Sequence, residues 1–384
     1  MPDRRLIIVV NEDRFFLSHR KEIGVRALME GWDVAVVAKN TGRKNEVEAL
    51  GLKFIEMPVN PTGKKIHQEM RTFRFLYSLY GREKDAVIHH VGLKNMVWGG
   101  LAARLRKMDG VVNAVSGLGI MFSDYNPSRL KKVLIPILRW GMSMENVSLI
   151  FQNHEDESLF QALGISEKTQ TYFIKGSGVD LSNFDIAGRQ RAAEGPLKVV
   201  FAGRMVKDKG VLDVITAAEI LRPKYEGRVK FLLCGGQSSN AFAVKKEELD
   251  RLCDGGYIKY LGYCENMPEI FMDSDIMCFP SYYREGVPKA VLEASAAGLP
   301  IITCDSIGCR DTVKEGINGF LVSPRSPEEV AEKLDILFSD ARLRERMGDA
   351  SRQMAVNEYD VNTVADKHIK IYNQVLKNRK GVKK

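Results

Sequence analysis

One rhythm constrains this chain more than anything else in it: short apolar runs recur along its length, separated by stretches with helical periodicity. Candidate strands fall at 6–10, 33–38, 86–90, 111–115, 147–151 and 171–174. After a polar stretch at 182–195 they resume at 198–202, 229–234, 257–261, 276–279 and 300–303, with helices between them, for example at 18–29, 212–221, 241–254 and 288–297. Most runs are continuously apolar rather than alternating, the pattern of parallel strands covered on both faces. Regular β-α alternation predicts α/β architecture with doubly wound parallel sheets and right-handed crossovers. The rhythm restarts after Pro196, and 384 residues suit two domains of about 100–200 residues each. The expected organisation is a Rossmann-like domain at 1–181, a linker at 182–196 and a second Rossmann-like domain at 197–360. An amphipathic helix at 361–376 is expected to pack back on the first domain, followed by a disordered basic tail at 377–384. Ligands of such sheets bind beyond the carboxyl ends of the strands, so two facing domains make an interdomain cleft the default site.

No run approaches the ~20 apolar residues that span a bilayer. Arg4–Val10 mimics a secretory signal, but the polar residues from Asn11 end it early, and it reads as a buried strand. The six cysteines (Cys234, Cys253, Cys264, Cys278, Cys304, Cys309) form no C-x-x-C pair, which argues for reduced cytosolic thiols rather than zinc or disulfides. The net charge of +8 is uneven: residues 1–192 hold 28 Lys/Arg against 21 Asp/Glu, the remainder 29 against 28. A basic first half points to an anionic partner. No nucleic-acid reading module accompanies it, so nucleic acid is not the expected partner.

Two segments carry chemistry. Pro280-Ser281-Tyr282-Tyr283-Arg284-Glu285-Gly286-Val287-Pro288 follows a strand and opens a helix that carries Glu293. Pro288 suits a first helical turn, and free amides near Gly286 and Val287 would make an anion-binding terminus. Glu293, among Val291, Leu292, Ala294 and Ala296, is costly without partners. Its spacing from Glu285, about 12 Å along a helix, suits two hydroxyl clusters on one extended ligand. The second segment, Gly203-Arg204-Met205-Val206-Lys207-Asp208-Lys209-Gly210, sets two cations at a strand end, where Arg offers a fork and Lys a point charge to a diphosphate. Asp273-x-Asp275 and His89-His90 are tempting as metal ligands but fit a helix-to-strand junction and a strand end, so no metal is expected.

Glu285-x₇-Glu293, Gly203-Arg204-x₄-Lys209-Gly210 and Gly316-x-x-Gly319-Phe320-Leu321-Val322 together resemble the retaining nucleotide-sugar glycosyltransferases of family four, which have the GT-B fold. Phe16-Leu17-Ser18-His19-Arg20, Ser116-Gly117-Leu118-Gly119, Phe151-Gln152-Asn153, Gly176-Ser177-Gly178-Val179-Asp180 and Gly308-Cys309-Arg310 are similar to the branch that builds lipid-linked surface glycans. The resemblance implies that Arg204 and Lys209 bind the donor diphosphate, Glu293 holds the ribose and Glu285 contacts the donor sugar. Gly203, Gly286, Val287 and Pro288 would lie at the sugar and phosphate, and Tyr263 and Cys264 on the nucleobase side. Phe16, Ser18, His19, Gly117, Gly119 and Asn153 would face the acceptor side. It further implies a UDP-sugar donor (N-acetylhexosamine or hexose), a polyprenyl-diphosphate-linked acceptor, no cofactor, and retention by a front-face route in which the leaving phosphate helps deprotonate the acceptor. Ser116 and Ile120-Met121-Phe122 depart from the commonest pattern and leave the acceptor open. A transferase with a soluble acceptor is the alternative; the paired glutamates argue against an epimerase of the same fold. Basic, aromatic-rich segments (Lys64, Lys65, Arg71 and Arg74 with Phe73 and Tyr77; Arg129, Lys131, Lys132 and Arg139 with Trp140) predict peripheral contact with the cytoplasmic membrane face.

Overall fold

A computed structural model of the chain describes residues 4–59, 66–122, 131–186, 195–238 and 242–382. The chain divides into two compact units, residues 1–178 with 361–384, and residues 179–360. The first is built on seven strands: β1 (Arg5–Glu12), β2 (Asp33–Lys39), β3 (Lys53–Glu56), β4 (Ala86–Val91), β5 (Val111–Ala114), β6 (Val147–Phe151) and β7 (Gln170–Phe173). They form one sheet in the order β3-β2-β1-β4-β5-β6-β7, parallel at every pairing. The second unit has β8 (Leu197–Ala202), β9 (Val229–Cys234), β10 (Ile258–Gly262), β11 (Ile276–Phe279), β12 (Ile301–Cys304) and β13 (Gly319–Val322), in the order β10-β9-β8-β11-β12-β13. Its pairings are also parallel.

Central strands are apolar on both faces because both faces are covered. Leu6, Ile7, Ile8, Val9 and Val10 of β1 are fully buried, each such side chain contributing about 1.5–3 kcal/mol of burial. The two strands the sequence rhythm missed, β3 and β13, are both sheet edges. In β3 no residue is fully buried, so the continuous apolar signal is absent there. Gly319 starts β13 because a Cβ would lie 1.8 Å from the Ile301 carbonyl oxygen on the neighbouring strand.

Three expectations about helices need correction. The helix read at 18–29 is two, Asp13–His19 and Lys21–Met29, broken at Arg20, whose φ of −134° and ψ of −1° leave the helical region. The helix read at 241–254 covers only Lys246–Leu252 among the described residues. The last helix does not end at Leu376 but runs from Val361 to Val382. It belongs to the first unit, where Arg379, expected in a disordered tail, is 9% exposed and donates to the carbonyls of Asp85 (2.8 Å) and Ala86 (2.6 Å). Gly110, at φ 135°, makes room: a Cβ there would lie 2.4 Å from the Arg379 guanidinium. Tyr372 on the same helix bonds His89 of β4 at 2.6 Å. No helix among the described residues is long and apolar enough to cross a membrane.

Candidate active site

Each sheet reverses its strand order once, between β1 and β4 in the first unit and between β8 and β11 in the second. Loops leaving two such strands diverge and open a crevice at their carboxyl ends. In the second unit both chemistry-bearing segments meet there. Gly203 and Arg204 follow β8, and a short turn, Lys207–Lys209, leads through Gly210 into the helix Val211–Tyr225. β11 continues as 280–288 into the helix Lys289–Ala296. The Asp208 carbonyl joins the two loops, accepting from the Tyr282 amide (3.0 Å), the Tyr283 amide (2.9 Å) and the Ser281 hydroxyl (3.3 Å). Lys209 Nζ then forms an ion pair with Glu285 Oε1, the side chains 12% and 13% exposed. Ser281 Oγ donates to the same carboxylate oxygen at 3.3 Å, and Lys209 Nζ lies 5.3 Å from the ring centroids of both Phe279 and Tyr283.

Backbone packing holds these loops where side chains would not fit. Gly210 has φ 79°, and a Cβ on it would come within 2.2 Å of the Pro280 carbonyl oxygen. Gly308, on the loop after β12, has φ 81° and would place a Cβ 1.8 Å from the Gly286 oxygen. Glycine alone meets both demands. Gly286, Val287 and Pro288 are all buried, and Pro288 is the N-cap rather than the first helical residue. Glu293 therefore sits little more than one turn into its helix, its nearest cation Lys289 at 3.4 Å. Burial pushes the Glu293 carboxyl above the usual carboxylate range, and Lys289 only partly offsets this. A carboxylate held this way gains from hydroxyl donors. Arg204 is exposed and makes no side-chain hydrogen bond or ion pair among the described residues. Tyr263 is 69% exposed, while the Cys264 thiol lies 3.5 Å from the Gly262 carbonyl.

The first unit's crevice is built differently, from an amide pair and a buried carboxylate held by backbone amides. Asn11 near the end of β1 accepts from buried Asn95 (3.1 Å), which also donates to the Val91 carbonyl at 2.8 Å. Buried Asp13 accepts from the amides of Arg14 (2.8 Å), Thr41 (2.8 Å) and Arg43 (3.0 Å) and from the Thr41 hydroxyl, tying the loop after β1 to the loop after β2. Burial opposes its charge, but these bonds hold its pKa below the usual range. Gly117 and Gly119 follow β5 with φ of 94° and 57°. Ser18 Oγ is 2.7 Å from His19 Nδ1, and His19 stacks on Phe15 at 4.4 Å. Two residues expected to face a ligand are buried. Phe16 is fully buried, packed on Gly24, and Asn153 is fully buried as the N-cap of the helix His154–Ala162, its Oδ1 accepting from the Asp156 amide at 2.7 Å. Capping and core roles explain both residue types. Asn11, Asn95 and Asp13 were not singled out in the sequence, since they have partners up to 84 positions away.

The tempting metal motifs are structural. His90 bonds the Tyr80 hydroxyl and Asn113, both at 2.8 Å, inside the core. Asp275 accepts from the Lys198 amide (2.8 Å) and Asp273 from Lys198 Nζ (2.6 Å), at the amino ends of β8 and β11, opposite the crevice.

With this geometry in place, two family models match the chain: "Glycosyl transferase 4-like" over residues 5–153 and "Glycosyl transferases group 1" over residues 183–354. The chain is a group 1 glycosyltransferase. It is 25% identical to the N,N'-diacetylbacillosaminyl-diphospho-undecaprenol alpha-1,3-N-acetylgalactosaminyltransferase of Campylobacter jejuni, over 92% of this chain and 94% of that one. It is 23% identical to the UDP-Gal:alpha-D-GlcNAc-diphosphoundecaprenol alpha-1,3-galactosyltransferase of Escherichia coli, over 91% of each. A glycosyltransferase structure from Rickettsia africae superposes with a TM-score of 0.76 at 18% identity, covering 98% of this chain and all of that one. The fold is GT-B. In this glycosyltransferase the group 1 match spans Gly203, Arg204, Lys209, Glu285 and Glu293, so every charged residue of the second crevice lies inside it.

Proposed function

We propose that the enzyme transfers a sugar, with retention of configuration, from a UDP-sugar to a polyprenyl-diphosphate-linked saccharide in surface-glycan assembly. The observation that carries this reading is the Lys209–Glu285 pair at the second unit's switch point, with Arg204, which has no side-chain partner among the described residues, on the loop after β8. The relatives whose names specify diphosphoundecaprenol acceptors align over nearly the whole chain and support the acceptor class.

Arg204 forks onto the diphosphate, and Lys209 supplies a point charge as the nucleotide departs. Glu293 accepts from ribose hydroxyls, which lowers the cost of its burial. Glu285, drawn to Lys209 without ligand, turns to donor-sugar hydroxyls as the diphosphate takes over the lysine. Gly203, Gly286, Val287 and Pro288 let the backbone approach sugar and phosphate, while Tyr263 and Cys264 flank the base. The leaving phosphate helps take the proton from the attacking acceptor hydroxyl as the new glycosidic bond forms, so no protein nucleophile enters. Ser18, His19, Gly117 and Gly119 take the acceptor in the first unit.

The enzyme docks peripherally on the cytoplasmic membrane face through the first unit. Supporting this, Ile66, Val133 and Trp140 are 71%, 58% and 44% exposed on the helices Ile66–Arg82 and Lys131–Met142, among exposed Arg71, Arg74, Lys132 and Arg139. Lys64, Lys65 and Arg129 lie outside the described residues.

The test incubates purified enzyme with a panel of nucleotide sugars and a polyprenyl-diphosphate sugar acceptor and scores nucleotide release and product. Acceptor-dependent release from one UDP-sugar is expected; release only with soluble acceptors, or from no donor, overturns the reading. Flotation with anionic vesicles tests docking separately, and full recovery in the soluble fraction at low salt counts against it.

A further inference from the structure

Among the described residues two non-glycine residues have left-handed backbone, Lys107 and Arg325. Lys107 has an ordinary reason, since it caps the helix Leu93–Arg106. Arg325, at φ 60°, lies in the loop between β13 and the helix Pro327–Ser339. Glycine would fit that loop without strain, so the strained side chain calls for a reason of its own. Its surroundings supply one. The guanidinium lies 4.9 Å from the ring centroid of Tyr282, and its charge opposes the burial that raises the pKa of the Tyr282 hydroxyl. It is also close enough to attract Asp208 and Asp213. The Asp213 Oδ2 atom is buried with no hydrogen-bond partner, so Arg325 provides charge compensation that no hydrogen bond gives that oxygen.

Tyr282 is therefore gripped twice. Its amide donates to the Asp208 carbonyl at 3.0 Å, and its ring meets Arg325. Three segments converge on it: the 207–209 turn, the 280–288 loop and the loop after the edge strand β13. Glu285 is three residues beyond Tyr282 and pairs with Lys209, one residue beyond Asp208. We propose that Arg325 is a positioning residue of the donor site: seated on Tyr282, it holds the 281–285 segment against Asp208 so that Glu285 and Lys209 are presented together. Arg suits the task because a planar guanidinium can lie on a ring face, which an ammonium does less well. The proposal rests on the donor-site reading above.

Arg325→Gly keeps the backbone conformation and removes the guanidinium, while Arg325→Lys keeps the charge. The experiment compares melting temperature, hydrogen exchange at the Tyr282 and Tyr283 amides, and kinetics of nucleotide release with the best donor of the panel. For Arg325→Gly the expected result is an unchanged or higher melting temperature and faster exchange at both amides. kcat should fall about two- to fivefold, the worth of an exposed cation–π contact, with donor KM within twofold of wild type. Arg325→Lys should recover part of both losses. Wild-type exchange and kcat in Arg325→Gly would overturn the proposal, as would loss of activity in proportion to a lowered melting temperature. If the wild-type enzyme released nucleotide from no donor, the donor-site reading would fail instead, and the exchange comparison would still decide whether Arg325 holds the loop.

Discussion

The two units repeat one topology and use it differently. In each, the strand order reverses beside the first strand of the sheet, and the crevice opens at the carboxyl ends of two neighbouring strands. In the second unit that crevice holds an ion pair, Lys209 with Glu285, wedged by Gly210 and Gly308. In the first it holds an amide pair, Asn11 with Asn95, over a core containing His89 and His90. A shared fold fixes where a ligand can sit; residue chemistry at the strand ends decides which ligand. Charged groups suit a diphosphate, whereas neutral amides suit hydroxyls without attracting free nucleotide.

The largest effect should come from breaking that contrast at its charged end. Lys209→Ala should lower turnover by about two to three orders of magnitude, as removal of a transition-state charge partner does, with little change in folding. The matching change in the first unit, Asn95→Ala, should cost about 1–3 kcal/mol of stability by stripping partners from Asn11 and the Val91 carbonyl, and leave UDP binding intact. Nucleotide release, calorimetric UDP binding and thermal melting separate the two outcomes. Equal loss of UDP binding in both would erase the division of labour.

Next in size is a glycine comparison within the second unit. Gly308→Ala drives a Cβ toward the Gly286 oxygen, so it should cost about 1–3 kcal/mol and displace the 285–288 segment, lowering both melting temperature and turnover. Gly316→Ala meets the same left-handed strain (φ 72°) in open space, and should cost less and spare turnover.

These contrasts also show what the sequence could reveal. β1 was legible because both its faces are buried, and Lys209 and Glu285 because each sits in a local pattern beside a strand end. The edge strands β3 and β13 were not, since neither is buried along its whole length and burial on both faces is what writes a continuous apolar run. Phe16 and Asn153 show that a motif records that a residue matters, not whether it caps, packs or binds. Arg379 was read as tail because charge near a terminus is ordinarily solvated, yet its partners are the carbonyls of Asp85 and Ala86, almost three hundred positions earlier. Arg325 carried no signal, since left-handed backbone is visible only in three dimensions.

Acidification should open the first unit. His90 and His368 are buried, and desolvation lowers their pKa values to about 4 and about 3; desolvation and nearby positive groups lower His89 well below its usual value. Against an unfolded value of about 6.5, the unfolded chain binds protons that the folded unit refuses. Stability is thus full above about pH 6.5 and falls as pH drops toward 3–4. Trp32, Trp98 and Trp140, the three tryptophans of the chain, all lie in the first unit, so their fluorescence reports its unfolding. His368→Gln should flatten the acid slope, and an unchanged slope would remove the histidines as its cause.

The smallest expected effect has the opposite sign and lies in the other unit. Burial raises the Asp213 carboxyl to about 6, Arg325 opposing the shift and Glu328 adding to it. A raised carboxyl pKa favours the folded state below the unfolded value of 3.8, and that contribution is lost as pH rises through 6. Near pH 7 the second unit therefore carries a charge it would hold more easily as a neutral group. Asp213→Asn should stabilise it there, by less than about 1 kcal/mol once solvent screening is allowed for, and change nothing below pH 4. All six cysteines lie in this unit and four are buried, so thiol labelling in denaturant reads its opening without interference from the first. Slower labelling of Asp213→Asn at pH 7, with tryptophan fluorescence unmoved, would show that the two units answer pH separately and in opposite directions. A shift in both probes together would mean that they unfold as one body.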